Sequence, residues 1–134
     1  MNSISKEIGL VISEARKQAV TQINTIMVKA YWEIGKMIVE EEQGGDSKAE
    51  YGKGLLKSLS KELTKEYGKG FSEKNLRYFR KLYTEFRKQE TLSSKLGWSH
   101  YITLLNIENK LRRDFYIKEI ESQNWSVREL KRQI

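Results

Sequence analysis

A chain of 134 residues, 38% hydrophobic and 32% charged, suits one domain with its own core, and its 4 Phe, 3 Trp and 7 Tyr argue against full disorder. There is no cysteine and a single histidine, which excludes disulfides and thiol metal sites and fits a reducing, cytoplasmic compartment. The net charge of +7 is uneven: residues 51–90 hold 11 Lys+Arg against 5 Asp+Glu, whereas residues 1–50 hold 6 against 8. The middle third is therefore where a polyanion would be drawn.

Met1 to Val20 has no continuous apolar run and carries Glu7 and Glu14, so it reads as neither a signal peptide nor a membrane span. Apolar residues at Ile8, Ile12, Ala15, Ala19, Ile23, Met27, Ala30, Ile34 and Ile38 step by threes and fours. They predict one amphipathic helix, capped by Ser3 or Ser5 and running to about Glu42, where Gly44-Gly45-Asp46 breaks it. Such a helix exceeds the diameter expected of a small domain, so self-association is one way to cover its excess.

A second helix is expected from about Lys53 to Tyr67, with Leu55, Leu56, Leu59 and Leu63 on its buried face and Gly68 as a left-handed cap. Gly70-Phe71-Ser72 then leads into a third helix, N-capped by Ser72, whose buried face is Leu76, Phe79, Tyr83 and Phe86 with Leu82 beside it. A helix pair joined by about four glycine-bearing residues is the pattern of a helix-turn-helix, and also of many bundle hairpins. Lys88 to Ser94 reads as a loop. A short fourth helix is expected at about 99–105 and a fifth at 109–122, with Leu111, Phe115 and Ile120 apolar. Ser126-Val127-Arg128-Glu129 has capping-box spacing for a sixth. That last helix is barely begun at Ile134, which suggests a fragment of a longer protein. The expected fold is all-α: a small helical domain, residues 1–134, with a long N-terminal helix and a helix-turn-helix-like pair.

Catalysis finds little support. His100 lacks partners for a metal site and reads as a packed or capping residue. Glu108-Asn109-Lys110 and Glu129-Leu130-Lys131 match the Glu-x-Lys of metal-dependent nucleases, but without the strand geometry and upstream aspartate that such a site needs. Gly52-Lys53-Gly54 and Gly68-Lys69-Gly70 lack the spacing of a phosphate loop. No cofactor or metal is expected. Trp32, Trp98 and Trp125 read as core anchors.

Nucleic-acid binding finds more support. Lys74, Arg77, Lys81 and Lys88 fall on one stripe of the third helix, opposite Leu76, Phe79 and Tyr83. Ser72, Asn75 and Tyr78 lie near its N-terminal half, where a helix-turn-helix meets base edges or phosphates. Together with Lys69 in the turn, the candidate DNA-binding residues are Lys69, Ser72, Lys74, Asn75, Arg77, Tyr78 and Lys81. On the second helix Lys53, Lys57, Lys61 and Lys65 repeat every four residues, a repulsion that an anion would relieve. Pairing of Glu62 with Lys65 and of Glu66 with Lys69 would relieve it equally.

Tyr31-Trp32-Glu33-Ile34-Gly35, Tyr51-Gly52-Lys53, Gly70-Phe71-Ser72 through Asn75-Leu76, Trp98-Ser99-His100-Tyr101 and Asn124-Trp125-Ser126-Val127-Arg128-Glu129-Leu130 occur in that order. In this the chain resembles the N-terminal domain of YhcG-like bacterial proteins. Gly97 departs from that pattern, which usually has Ser or Thr there. The resemblance implies a helical, helix-turn-helix-like module ahead of a PD-(D/E)xK nuclease domain that this chain does not contain. It also implies a role in nucleic-acid binding or in assembly of the nuclease. Two functions follow as expectations: a non-catalytic DNA-binding module, or a dimerisation module acting through the first helix without touching nucleic acid.

Overall fold

The computed structural model describes residues 3–44 and 48–134, with the backbone alone described at 48–53. Six α-helices follow one another: α1 (Ser3–Gly44), α2 (Lys48–Tyr67), α3 (Glu73–Glu85), α4 (Trp98–Leu105), α5 (Lys110–Gln123) and α6 (Val127–Gln133), with one 3₁₀ turn at Gln89–Thr91. No strand occurs among the described residues. The expected order and number of helices hold. Several ends shift: α2 begins at Lys48 rather than Lys53, and both Ser3 and Ser5 lie inside α1 rather than capping it. The expected break at Gly45 and Asp46, and the side chains of Tyr51 and Lys53, fall outside the described residues.

α3 is the central element. Leu76, Phe79 and Leu82 are buried almost completely, each worth roughly 1.5–3 kcal/mol relative to exposure. They pack mainly on the C-terminal part of α1, with α2 and α4 beside them. The α1–α3 crossing is close because Gly35 has no side chain: a Cβ there would sit 1.9 Å from the Phe79 carbonyl oxygen. Around that point Tyr31 stacks on Phe79 at 4.4 Å between ring centres, and Trp32 Nε1–H donates to the Phe86 carbonyl at 2.6 Å. Arg80 pairs with Glu42 at 2.7 Å on the same crossing. The main core continues through Leu96, Tyr101, Leu104, Ile120 and Leu130, so α4, α5 and α6 close over the C-terminal end of α3.

Three faces differ from the periodicity. In α1 the residues that enter the core are Val28, Trp32, Gly35, Ile38 and Val39. Of the predicted stripe only Ile38 is buried, while Ile8, Ile12, Ile23 and Met27 are exposed. At 100° per residue that stripe points about half a turn away from Val28, Trp32 and Val39. In α3, Leu82 is buried and Tyr83 is half-buried, its ring edge-on to Trp32. The helix also ends at Glu85, with Phe86 leaving helical geometry at φ −126°, so Lys88 does not extend the basic stripe. In α5, Ile120 enters the core as expected, but Leu111 and Phe115 face outward, and Arg113 and Tyr116 enter in their place.

Candidate nucleic-acid interface

The turn between α2 and α3 is built by glycine. Gly68 (φ 84°) and Gly70 (φ 109°) occupy the left-handed region that a side chain disfavours. The Gly68 N–H closes α2 on the Thr64 carbonyl at 2.9 Å. Ser72 then caps α3: its Oγ accepts from the Asn75 N–H at 3.1 Å, and Asn75 Nδ2 donates back to the Gly70 carbonyl at 3.1 Å. This locks the entry to α3 and commits both side chains to the turn.

The seven candidate residues therefore divide. Ser72 and Asn75 shape the turn. Tyr78 is half-buried, its hydroxyl on Asn106 Oδ1 at 3.1 Å and its ring edge-on to Trp98. Lys69, Lys74 and Arg77 are exposed and Lys81 half-exposed. At 100° per residue Lys74, Arg77 and Lys81 lie opposite Leu76, Phe79 and Leu82. None of these four side chains has an ion pair or hydrogen bond among the described residues. Their neighbour Arg80, by contrast, is held by Glu42. On α2, Lys57, Lys61 and Lys65 are exposed as well, and the pairs Glu62–Lys65 and Glu66–Lys69 do not form. The surface offers charge with its donors unoccupied among the described residues, while Ser72, Asn75 and Tyr78 each already hold one hydrogen bond within the fold.

The catalytic readings gain nothing from the geometry. Among the described residues no group of three or more His, Cys, Asp or Glu could hold a metal ion. Glu108 lies just before α5, and Glu129 and Lys131 lie within α6. A family model described as the DUF1016 N-terminal domain matches residues 7–134. The chain belongs to that family. It is also 39% identical, over a matched span of 155 residues including gaps, to "Putative nuclease YhcG" of Escherichia coli (strain K12). The match covers 92% of this chain and 41% of that protein, so the chain spans about two-fifths of its relative's length. No solved structure matches it.

In this DUF1016 N-terminal domain the Trp98-Ser99-His100-Tyr101 string has a structural role. His100 Nδ1 accepts the Gly97 N–H at 3.1 Å, half of a capping box in which glycine supplies no side chain. Its Nε2–H donates to the Trp125 carbonyl at 2.8 Å, so one imidazole ties the start of α4 to the α5–α6 connection. Trp98 fills the space between Tyr31, Tyr78 and Phe79. Trp32 is buried, and Trp98 and Trp125 are half-buried against the main core. Tyr101 is buried with its oxygen accepting from the Ser93 N–H at 2.8 Å. Burial pushes its phenol up to about 12, the Ser93 bond working against this and Glu121 adding to it. Sequence reasoning did not single out Arg113. It is 1% exposed and joins α5 to Glu85 at 3.1 Å, with its guanidinium over the Phe86 ring. No helical pattern flags an arginine as core; its acidic partner 28 residues earlier, the Ile107 carbonyl at 3.4 Å and the Phe86 ring together hold it there. None of the described helices is long and apolar enough to cross a membrane.

Proposed function

We propose that this domain is a non-catalytic nucleic-acid-binding module that grips duplex DNA through backbone phosphates, serving the nuclease of which it is a part. The observation that carries this reading is a set of cations without partners among the described residues: Lys74, Arg77 and Lys81 opposite the buried face of α3, and Lys69 in the turn before it. A cation row with its neutral hydrogen-bonding neighbours already committed suits phosphate contact rather than base readout. The helix pair supports a helix-turn-helix-like presentation, with the glycine turn setting the start of α3. The relative's name, a nuclease, gives such a grip a purpose, since a cutting domain gains local substrate from a neighbour that holds DNA.

The test is binding of the chain to a fluorescent duplex, followed by anisotropy across a salt series. Four phosphate contacts give a slope of about −3.6 in log K against log salt, at roughly −0.9 per contact. Arg77→Ala and Lys74→Ala each lower affinity similarly on duplexes of different sequence and flatten the slope by about one contact. Lys6→Ala and Lys17→Ala, in the net-negative N-terminal segment, leave it unchanged. Equal losses at both sets would reduce the effect to bulk charge, and no binding at low salt would refute the reading.

A further inference from the structure

The first 25 residues of α1 pose a separate problem. No residue of the helix before Val28 is buried, although Ile4, Ile8, Val11, Ile12, Ile23 and Ile26 belong to that stretch and are 45–69% exposed. These side chains are not scattered. At 100° per residue they cluster with Ala15 and Ala19 on one stripe about a third of a turn wide, whereas Leu10, Val20 and Met27, also exposed, lie outside it. The five charged residues of the stretch, Lys6, Glu7, Glu14, Arg16 and Lys17, all fall outside it. The stripe points about half a turn away from the face that Val28, Trp32 and Val39 bury in the domain. Packing this chain's helices more tightly could not cover it, and the body of the domain, on the opposite side, does not obstruct a partner.

We infer that the occupant is a second copy of this chain, with the two α1 helices paired antiparallel along the stripe. Two observations select that occupant. The first is symmetry. The bulky residues stand at the two ends of the stripe and the small Ala15 and Ala19 in the middle, so a reversed copy is complementary to the original. Centring the pair on Lys17 places Ile8 opposite Ile26, Val11 opposite Ile23 and Ala15 opposite Ala19, with Lys17 itself on the outer side; of the remaining stripe residues, Ile12 meets Gln22 and Ile4 meets Ala30. A two-fold interface requires such self-complementarity. The second is area. Apolar side chains at this exposure contribute roughly 60–120 Å² each. The stripe thus offers on the order of 600 Å² per copy, near the ~800 Å² per partner of a standard stable interface.

The chain has no cysteine, which makes single-cysteine cross-linking clean. Light scattering at tens of micromolar should give twice the 15.8 kDa chain mass, and Ile8→Glu or Ile23→Glu should return the single mass. Leu10→Glu serves as control, because Leu10 is 71% exposed but lies on the other side of the helix; it should remain dimeric. Circular dichroism should show all three variants still helical. Under oxidation, Ile8→Cys mixed with Ile26→Cys should form a covalent dimer of the two variants, while Ile8→Cys alone should not. A single mass for the unmodified chain would overturn the proposal, as would dissociation by Leu10→Glu. Efficient cross-linking of Ile8→Cys alone would show a parallel pair and overturn the arrangement.

Discussion

Gly35 is the residue on which the fold has least latitude. Its missing side chain lets α1 lie against the Phe79 carbonyl, and neither backbone can retreat without unstacking Tyr31 from Phe79. Gly35→Ala should cost roughly 1–3 kcal/mol or more, the range for overpacking a close contact, read as a lower urea midpoint. His100 acts through both ring nitrogens, so His100→Ala should cost about 1–2 kcal/mol. Gly97 has ordinary extended backbone (φ −92°, ψ 177°), and a Cβ there would meet only Asn24, at 3.5 Å. Gly97→Ser should therefore complete the cap and raise stability by a few tenths of a kcal/mol. Tyr101 supplies a pH signature. Its pKa in the fold is about 12 against 10.0 for the free group, so the folded state holds the proton more tightly than the unfolded one. Its contribution is intact below pH 10 and is lost as pH rises through 10 towards 12. That loss is on the order of 2–3 kcal/mol. Denaturation of Tyr101→Phe across that window should show a shallower decline.

Among the elements, α1 is two helices in one physical sense. Its last part, from Val28, is core, and its first part is a projection held by helix continuity and by light contact with the body, such as Thr25 Oγ1 on the Ser94 carbonyl at 3.4 Å. Deleting residues 3–21 should leave the urea midpoint of the remainder within about 0.5 kcal/mol at concentrations low enough to exclude pairing, because no buried side chain is removed. A collapse of the midpoint would mean that the projection stabilises the body after all. α3 behaves oppositely: it is buried on one side and cationic on the other. Its cap and polarity were legible because a short helix crossing a core shows a clean 3.6-residue alternation, whereas its end at Glu85, short of Phe86 and Lys88, was not. α5 was not legible. Its outward Leu111 and Phe115 and inward Arg113 invert the usual rule, and the inversion depends on Glu85 of another helix.

For the molecule as a whole, DNA binding and pairing meet in one measurement. A dimer carries two basic rows, and a long duplex that reaches both should bind it more tightly than it binds the Ile8→Glu monomer, through effective concentration. A duplex too short to reach both rows should show no difference. With Mg²⁺ or Mn²⁺ present the chain should not cut either duplex. Metal-dependent cleavage by a clean preparation, abolished at Glu108 or Glu129, would contradict the non-catalytic reading.

The sequence by itself determined what depends on neighbours along the chain. It set the all-helical class, the helix order, the Ser72 and Ser126 caps, the glycine turn, the position of the basic excess and the family strings. Each of these rests on residues within one or two turns of each other, where backbone preference and side-chain spacing act directly. Tertiary structure alone decided which face of a doubly apolar helix is inside. α1 carries two apolar faces, and periodicity chose the longer, which is the exposed one. The core took the other because only there do Gly35 and Trp32 fit the backbone of α3. Tertiary contacts also decided that Tyr78 and Arg80 are occupied, while among the described residues Lys69, Lys74, Arg77 and Lys81 are not. A side chain is free or committed according to what packs beside it, and the partners of Tyr78 and Arg80 come from helices far away in sequence.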